Sequence, residues 1–191
     1  MSNIVAIVGL HNVVKSTLFN RLLERREAIV DSTAGVTRDR HYGKSDWNGV
    51  DFTVIDTGGY DVGSDDIFEE EIRKQVQLAV DEATSIIFMV NVEEGLQDID
   101  HEIYNLLRKA NKPLYLVVNK VDSAKEMLAA TEFYQLGVEK YYTLSSATGS
   151  GTGELLDDLV ADFPTTEYKD PFEGLPKITI AGRPNVGKST L

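Results

Sequence analysis

IVGLHNVVKSTL (residues 7–18) and IAGRPNVGKSTL (residues 180–191) are two versions of one phrase in a single chain. The second version satisfies the phosphate-loop pattern GxxxxGK[ST]. Gly182 opens it, Arg183, Pro184, Asn185 and Val186 fill the variable places, and Gly187, Lys188 and Ser189 close it. The first version keeps Gly9, Lys15 and Ser16, followed by Thr17, and matches Asn12 and Val13 to Asn185 and Val186. It departs at Leu10 and His11, which replace an arginine and a proline, and at Val14, which stands where the duplicate has Gly187. Such a loop presents backbone N–H groups and a helix N-terminus to phosphate oxygens, with the lysine reaching the outer phosphates and the Ser hydroxyl placed for magnesium. Alone, the altered copy also fits an ordinary strand-to-helix turn.

Outward from the two loops, 191 residues accommodate one well-cored domain and a remainder, since two full nucleotide domains need more chain. With 19 basic and 31 acidic residues the net charge is −12, which disfavours direct RNA contact as the dominant interaction of this chain. There is no cysteine, which fits the reducing cytoplasm as the expected compartment. The apolar start at residues 4–10 is too short to span a membrane and lacks a signal-peptide pattern, so it reads as a buried strand and no membrane partner is expected.

Apolar, β-branched runs recur at residues 4–8, 52–55, 86–92 and 114–118, with a weaker one at 141–144. Residues 42–47, then Asn48-Gly49, then 50–55 read as a hairpin. Helical periodicity lies between: Leu18, Phe19, Leu22 and Leu23; Phe68, Ile72, Val76 and Ala79; Ile103, Leu106 and Leu107; Leu155, Leu156, Leu159 and Val160. The expected architecture is α/β: a six-stranded, mostly parallel sheet with one antiparallel edge strand and helices on both faces. Residues 1–163 form the expected domain and 164–176 an acidic, proline-containing linker. Residues 177–191 are the start of a second unit, too short to bury a core, so the chain reads as a piece of a longer protein.

Three further signals each follow an expected strand. Asp56-Thr57-Gly58-Gly59 has the form DxxG, a carboxylate for a magnesium shell and a glycine N–H for the terminal phosphate. Asn119-Lys120-Val121-Asp122 has the form NKxD, whose aspartate accepts from the N1–H and exocyclic amine of guanine, a donor pair adenine lacks. Ser145-Ser146-Ala147 adds a backbone N–H near Ser146 for the guanine O6. The set points to GTP and GDP over ATP.

In this order, the motifs resemble those of a translation-factor-type G domain of the P-loop NTPases. With the second loop after an acidic linker, the chain resembles the tandem-GTPase family called Der or EngA. AGVTRDR (residues 34–40), DTGGY (56–60) and FEEEIRKQV (68–76) support the likeness. The resemblance implies a GTP-hydrolysing switch in assembly of the large ribosomal subunit, with a second G domain and an RNA-binding domain beyond this chain. It implies magnesium held by Ser16, Thr37 and Asp56, and potassium near Asn12. It also implies that Gly59 opens a second switch and that Lys15, Thr37 and Tyr60 are catalytic. Tyr60 holds the place of the water-positioning glutamine of Ras-like GTPases.

Val14 makes the activity of the first copy a question. A β-branched residue at positive φ carries strain of about 1–3 kcal/mol, whereas a helical φ would only crowd the pocket. Two functions therefore stand side by side: a GTPase, or a nucleotide-impaired domain that keeps the fold as a binding module. The acidic run at Asp65, Asp66, Glu69, Glu70 and Glu71 reads as a solvated helix start, His41 and His101 as surface histidines, and Trp47 as packing. Arg38 and Arg40 fit either phosphate contacts or surface ion pairs.

Overall fold

The computed structural model describes residues 3–23, 41–58 and 65–164. Six strands form one sheet: β1 (Ile4–Gly9), β2 (His41–Trp47), β3 (Val50–Asp56), β4 (Ser85–Asn91), β5 (Leu114–Asn119) and β6 (Tyr142–Thr143), in the order β2-β3-β1-β4-β5-β6. Every neighbouring pair is parallel except β2 with β3. That hairpin turns at Asn48 and Gly49, with φ of 50° and 80°. Two successive positive φ values match the twist of the flanking strands, which is why an Asn-Gly pair sits there.

Among the described residues, five α-helices flank the sheet: α1 (Lys15–Leu23), α2 (Asp65–Glu82), α3 (Asp98–Arg108), α4 (Ala124–Ala129) and α5 (Thr152–Ala161). All seven residues of β4 are buried, as expected of a central parallel strand covered on both faces. Onto this sheet α1 turns Leu18, Phe19 and Leu22, α3 turns Ile103, Tyr104 and Leu107, and α5 turns Leu155, Leu156 and Leu159. Trp47 is half-buried in packing, as expected, and its indole N–H donates to Asp157 Oδ1 at 2.7 Å.

Several elements differ from the sequence reading, among them the 3-10 segment Ala130–Leu136, which was not anticipated. No helix was anticipated over α4; it has no buried residue, so it lacks the apolar stripe that makes a helix legible, and it is defined instead by the reciprocal caps of Ser123 and Glu126. The last strand is shorter than the apolar run at 141–144, because only Tyr142 and Thr143 pair with β5. The expected linker and second loop lie outside the described residues.

The parallel register aligns Ile7 with Asp56, Gly9 with Met89, and Asn91 with Asn119, so the carboxyl ends of β1, β3, β4 and β5 meet along one edge. From β1 the chain runs to β2 and β3 on one side and then crosses to β4 on the other. Such a reversal opens a crevice beyond the strand ends. Phe88, fully buried in β4, anchors the layer beneath that edge and lies 6.1 Å from the Tyr104 ring. Phe88→Ala is expected to lower unfolding stability by about 3–5 kcal/mol in urea denaturation.

Candidate functional site

The loop after β1 begins at Leu10, makes one 3-10 turn over His11–Val13, and enters α1 through Val14. Val14 has φ 62° and ψ 47°, the left-handed conformation that glycine adopts freely and a β-branched residue strongly resists. Val14 is 39% exposed and stands outside the buried core, so core packing does not call for a valine there. Gly9 has a different constraint. A Cβ there would stand 2.4 Å from the Met89 carbonyl oxygen, so the tight approach of β1 to β4 admits only glycine.

Lys15, the first residue of α1, is 4% exposed. Its ammonium donates to the Gly9 carbonyl at 2.8 Å and the Leu10 carbonyl at 3.0 Å, folding the stem across the loop. Burial lowers its pKa to about 8, and the nearby Asp56 carboxylate acts in the opposite direction. Asp56 is itself buried at the end of β3, and one of its oxygens accepts the Gly58 N–H at 2.9 Å. Thr57 donates its hydroxyl to the Ile7 carbonyl at 2.6 Å, fastening the DxxG turn to β1. A Cβ on Gly58 would come 2.7 Å from Lys15 Cε, so the glycine lets lysine and aspartate share one corner. Ser16 is exposed beside them, at the second position of α1.

Asn119, 1% exposed, joins three loops. Its amide nitrogen donates to the Val13 carbonyl at 2.8 Å, while its oxygen accepts the Ser146 N–H at 2.9 Å and the Ser146 hydroxyl at 3.0 Å. Lys120 follows with φ 64° and ion-pairs Glu93 at 2.7 Å. Val121 is buried, and its N–H donates to the Leu144 carbonyl at 3.1 Å. These ties leave the Asp122 side chain exposed, while its backbone N–H is held by Glu126 at 2.6 Å. Ser145 is buried, its hydroxyl accepts the Thr148 N–H at 3.2 Å, and Ala147 is exposed at the outer bend of the same turn.

Thus the structure brings together the residues named from 9 to 17, from 56 to 58, from 119 to 122 and from 145 to 147. Thr37, Arg38, Arg40, Gly59, Tyr60 and the second phosphate loop from Gly182 to Ser189 lie outside the described residues, as do the side chains of His11 and of the acidic run at 65–71. Among the described residues no cluster of His, Cys, Asp or Glu is arranged to hold a metal. The hydroxyl of Ser16 and the carboxylate of Asp56 are nonetheless hard oxygen donors of the kind magnesium takes alongside phosphate oxygens. No described helix is long and apolar enough to cross a membrane.

Two participants escaped sequence reasoning. Glu94, in the loop after β4, accepts the side-chain N–H of Asn12, of Asn91 at 3.1 Å and of Gln97 at 3.2 Å. Arg21 on α1 donates to the carbonyls of Ser146, at 2.6 Å, and Ala147. Neither belongs to a recognised motif; the fold brings Glu94 to Asn12 and Arg21 to Ser146 and Ala147.

A family model described as 50S ribosome-binding GTPase matches residues 4–120. Among curated proteins, the GTPase Der of Christiangramia forsetii is 61% identical over all of this chain, and that of Bacteroides thetaiotaomicron is 53% identical over all of it. The chain spans 44% of the length of each. Among solved structures, Aquifex aeolicus Era bound to GDP·AlF4− aligns with a TM-score of 0.68 at 31% identity, covering 87% of this chain and 58% of that one. The G domain of T. maritima FeoB aligns with a TM-score of 0.62 at 25% identity, covering 84% and 98%.

The lowered Lys15 pKa fixes a pH signature. Because its value of about 8 lies below the ordinary 10.5, the folded chain releases this proton before the unfolded chain does. The unfolded state then binds more protons between those values, so stability rises with pH across that window, and the cost is fully present below about 8. In nucleotide-free protein, wild type is expected to gain stability relative to Lys15→Met as pH rises from about 8, read by urea unfolding at each pH.

Proposed function

Because the chain belongs to the GTPase Der family and spans less than half the length of those relatives, we propose that residues 1–163 are its first G domain, binding GTP and hydrolysing it to GDP. The observation that carries this reading is the Asn119 side chain, which ties the phosphate loop at Val13 to the base-side turn at Ser146. One residue thereby sets the distance between the phosphate site and the base site. Asp122, exposed three residues on, has the acceptor pair that guanine N1–H and its exocyclic amine require.

In the proposed reaction a water oxygen bonds to the γ-phosphorus as the bond from that phosphorus to the β–γ bridging oxygen breaks. The Lys15 ammonium and the first N–H groups of α1 face the charge that accumulates on the transferred group. Phosphate charge nearby would draw the Lys15 pKa back up and keep it protonated. Ser16 and Asp56, with Thr37, would hold magnesium, which neutralises charge on the outer phosphates when bound. The Asn12 side-chain oxygen suits potassium, since Glu94 engages the nitrogen end of the same amide. Tyr60 is assigned beside the attacking water, where it cannot act as the glutamine of other GTPases does. Residues 164–176 are assigned as the linker and 177–191 as the start of a second G domain. Large-subunit assembly, through domains beyond this chain, is the assigned setting, and the cytoplasm the assigned compartment.

Val14 supports a second reading, a G domain kept for its contacts after its nucleotide chemistry weakened. Its left-handed backbone carries strain of about 1–3 kcal/mol in a loop that must also receive phosphate close to its backbone. If that strain acts on binding, affinity falls about tenfold to a hundredfold at 1.4 kcal/mol per decade.

Binding of fluorescent GDP and GTP analogues in magnesium and potassium, for the parent chain and Val14→Gly, separates the readings. Guanine-selective binding, tightened about tenfold or more by glycine, is the expected result. Equal affinity of the two chains would remove the case against the first loop, and no binding by either would defeat the nucleotide reading.

A further inference from the structure

The turn at 145–150 carries its own hydrogen bonds. The Ser145 N–H donates to the Ser150 carbonyl at 3.0 Å, the Gly149 N–H to the Ser145 carbonyl at 2.7 Å, and the Thr148 N–H to Ser145 Oγ. The first two engage its ends, and the third ties the peptide between Ala147 and Thr148 to Ser145 from within. The middle, where the carbonyls of Ser146 and Ala147 lie, is held from outside by the Arg21 guanidinium, whose Nε donates to Ser146 O at 2.6 Å and whose second arm donates to Ala147 O. The third guanidinium nitrogen lies so near the turn that a Cβ on Gly149 would stand 2.7 Å from it; Gly149 also has φ 86°. A planar fork thus fills the inner side of the bend, an arrangement that the point charge of a lysine reproduces only in part.

The Ser146 N–H is already taken by Asn119. Among the described residues the Ala147 N–H has no acceptor, and Ala147 is exposed. That N–H shares its peptide with the Ser146 carbonyl that Arg21 engages. Charge-assisted donation to a peptide oxygen polarises the peptide and strengthens its own N–H as a donor.

We infer that Arg21 is a specificity-positioning residue: from the phosphate-side helix it fixes the base-side turn so that the Ala147 N–H is aimed at the O6 of guanine. The inference rests on the guanine-nucleotide reading above and adds a residue 125 positions from its target. It makes α1 serve both halves of the ligand, phosphate through Lys15 at its start and base through Arg21 near its end.

The test uses the whole chain carrying Val14→Gly, alone and with Arg21→Gln or Arg21→Lys. Dissociation constants are measured for GDP, for 6-thio-GDP, which alters only O6, and for IDP, which lacks only the 2-amino group. In Arg21→Gln the discrimination against 6-thio-GDP is expected to shrink about threefold to tenfold, the worth of one well-placed hydrogen bond. Discrimination against IDP is expected to stay unchanged, because that group faces Asp122. Arg21→Lys is expected to restore part of the loss. The amide resonances of Ala147 and Thr148 are expected to move in Arg21→Gln while those of α3 stay in place, showing a local change in a folded domain. An unchanged 6-thio-GDP ratio, or an equal weakening of all three ligands, overturns the inference alone. If the Val14→Gly chain binds no guanine nucleotide, the underlying reading fails and the inference with it.

Discussion

A single buried carboxamide holds the site together. Asn119 donates to the phosphate loop and accepts twice from the base-side turn, so all of its strong bonds are spent between segments more than twenty residues from it. Neither aspartate nor leucine could replace it, because the site needs one donor and one acceptor at the tip of one short side chain. Its burial at 1% exposure removes water as a competitor, and leaving either partner unsatisfied there would cost about 1–3 kcal/mol. The parallel register of β4 and β5 brings it to that edge, and the all-buried β4 keeps the register fixed.

Around this tie, the site is built by close approach. Gly9 lets β1 lie against the Met89 carbonyl, and Gly58 leaves room for the Lys15 stem beside Asp56. The result is a charged lysine enclosed by loop carbonyls, with its pKa drawn down by burial, and such a group is suited to receive negative charge. Val14 breaks the pattern. The backbone keeps the shape a glycine would give it, while the side chain adds strain and bulk at the point where the loop enters the helix. The duplicate loop, with Gly187 at the corresponding place, marks the position as one where the same phrase elsewhere in the chain uses no side chain.

Most of the strand and helix elements were legible because their signals are local. Apolar runs marked β1, β3, β4 and β5, Asn48-Gly49 marked the hairpin, and 3.6-residue periodicity marked α3 and α5. The helix α4 was not legible, since it turns no buried residue inward and its caps look like ordinary loop residues in sequence. At the site, the four motif segments could be read from their spacing. Arg21 and the contact of Glu94 with Asn12 could not, for the fold alone brings those residues near.

The sequence by itself determined which chemical groups are available and in what order. A lysine and serine follow a glycine, an aspartate stands before two glycines, and an asparagine and aspartate are three apart, each set following a strand. It also determined that the first loop lacks a glycine its duplicate keeps. The tertiary structure decided what those groups do to one another: that Val14 takes the left-handed conformation, that Lys15 is buried, that Asn119 spans two loops, and that Arg21 grips the base-side turn. Motif spacing records neighbours within about a helical turn, whereas burial, backbone strain and hydrogen bonds across a hundred residues arise only when parallel strands set distant loops side by side.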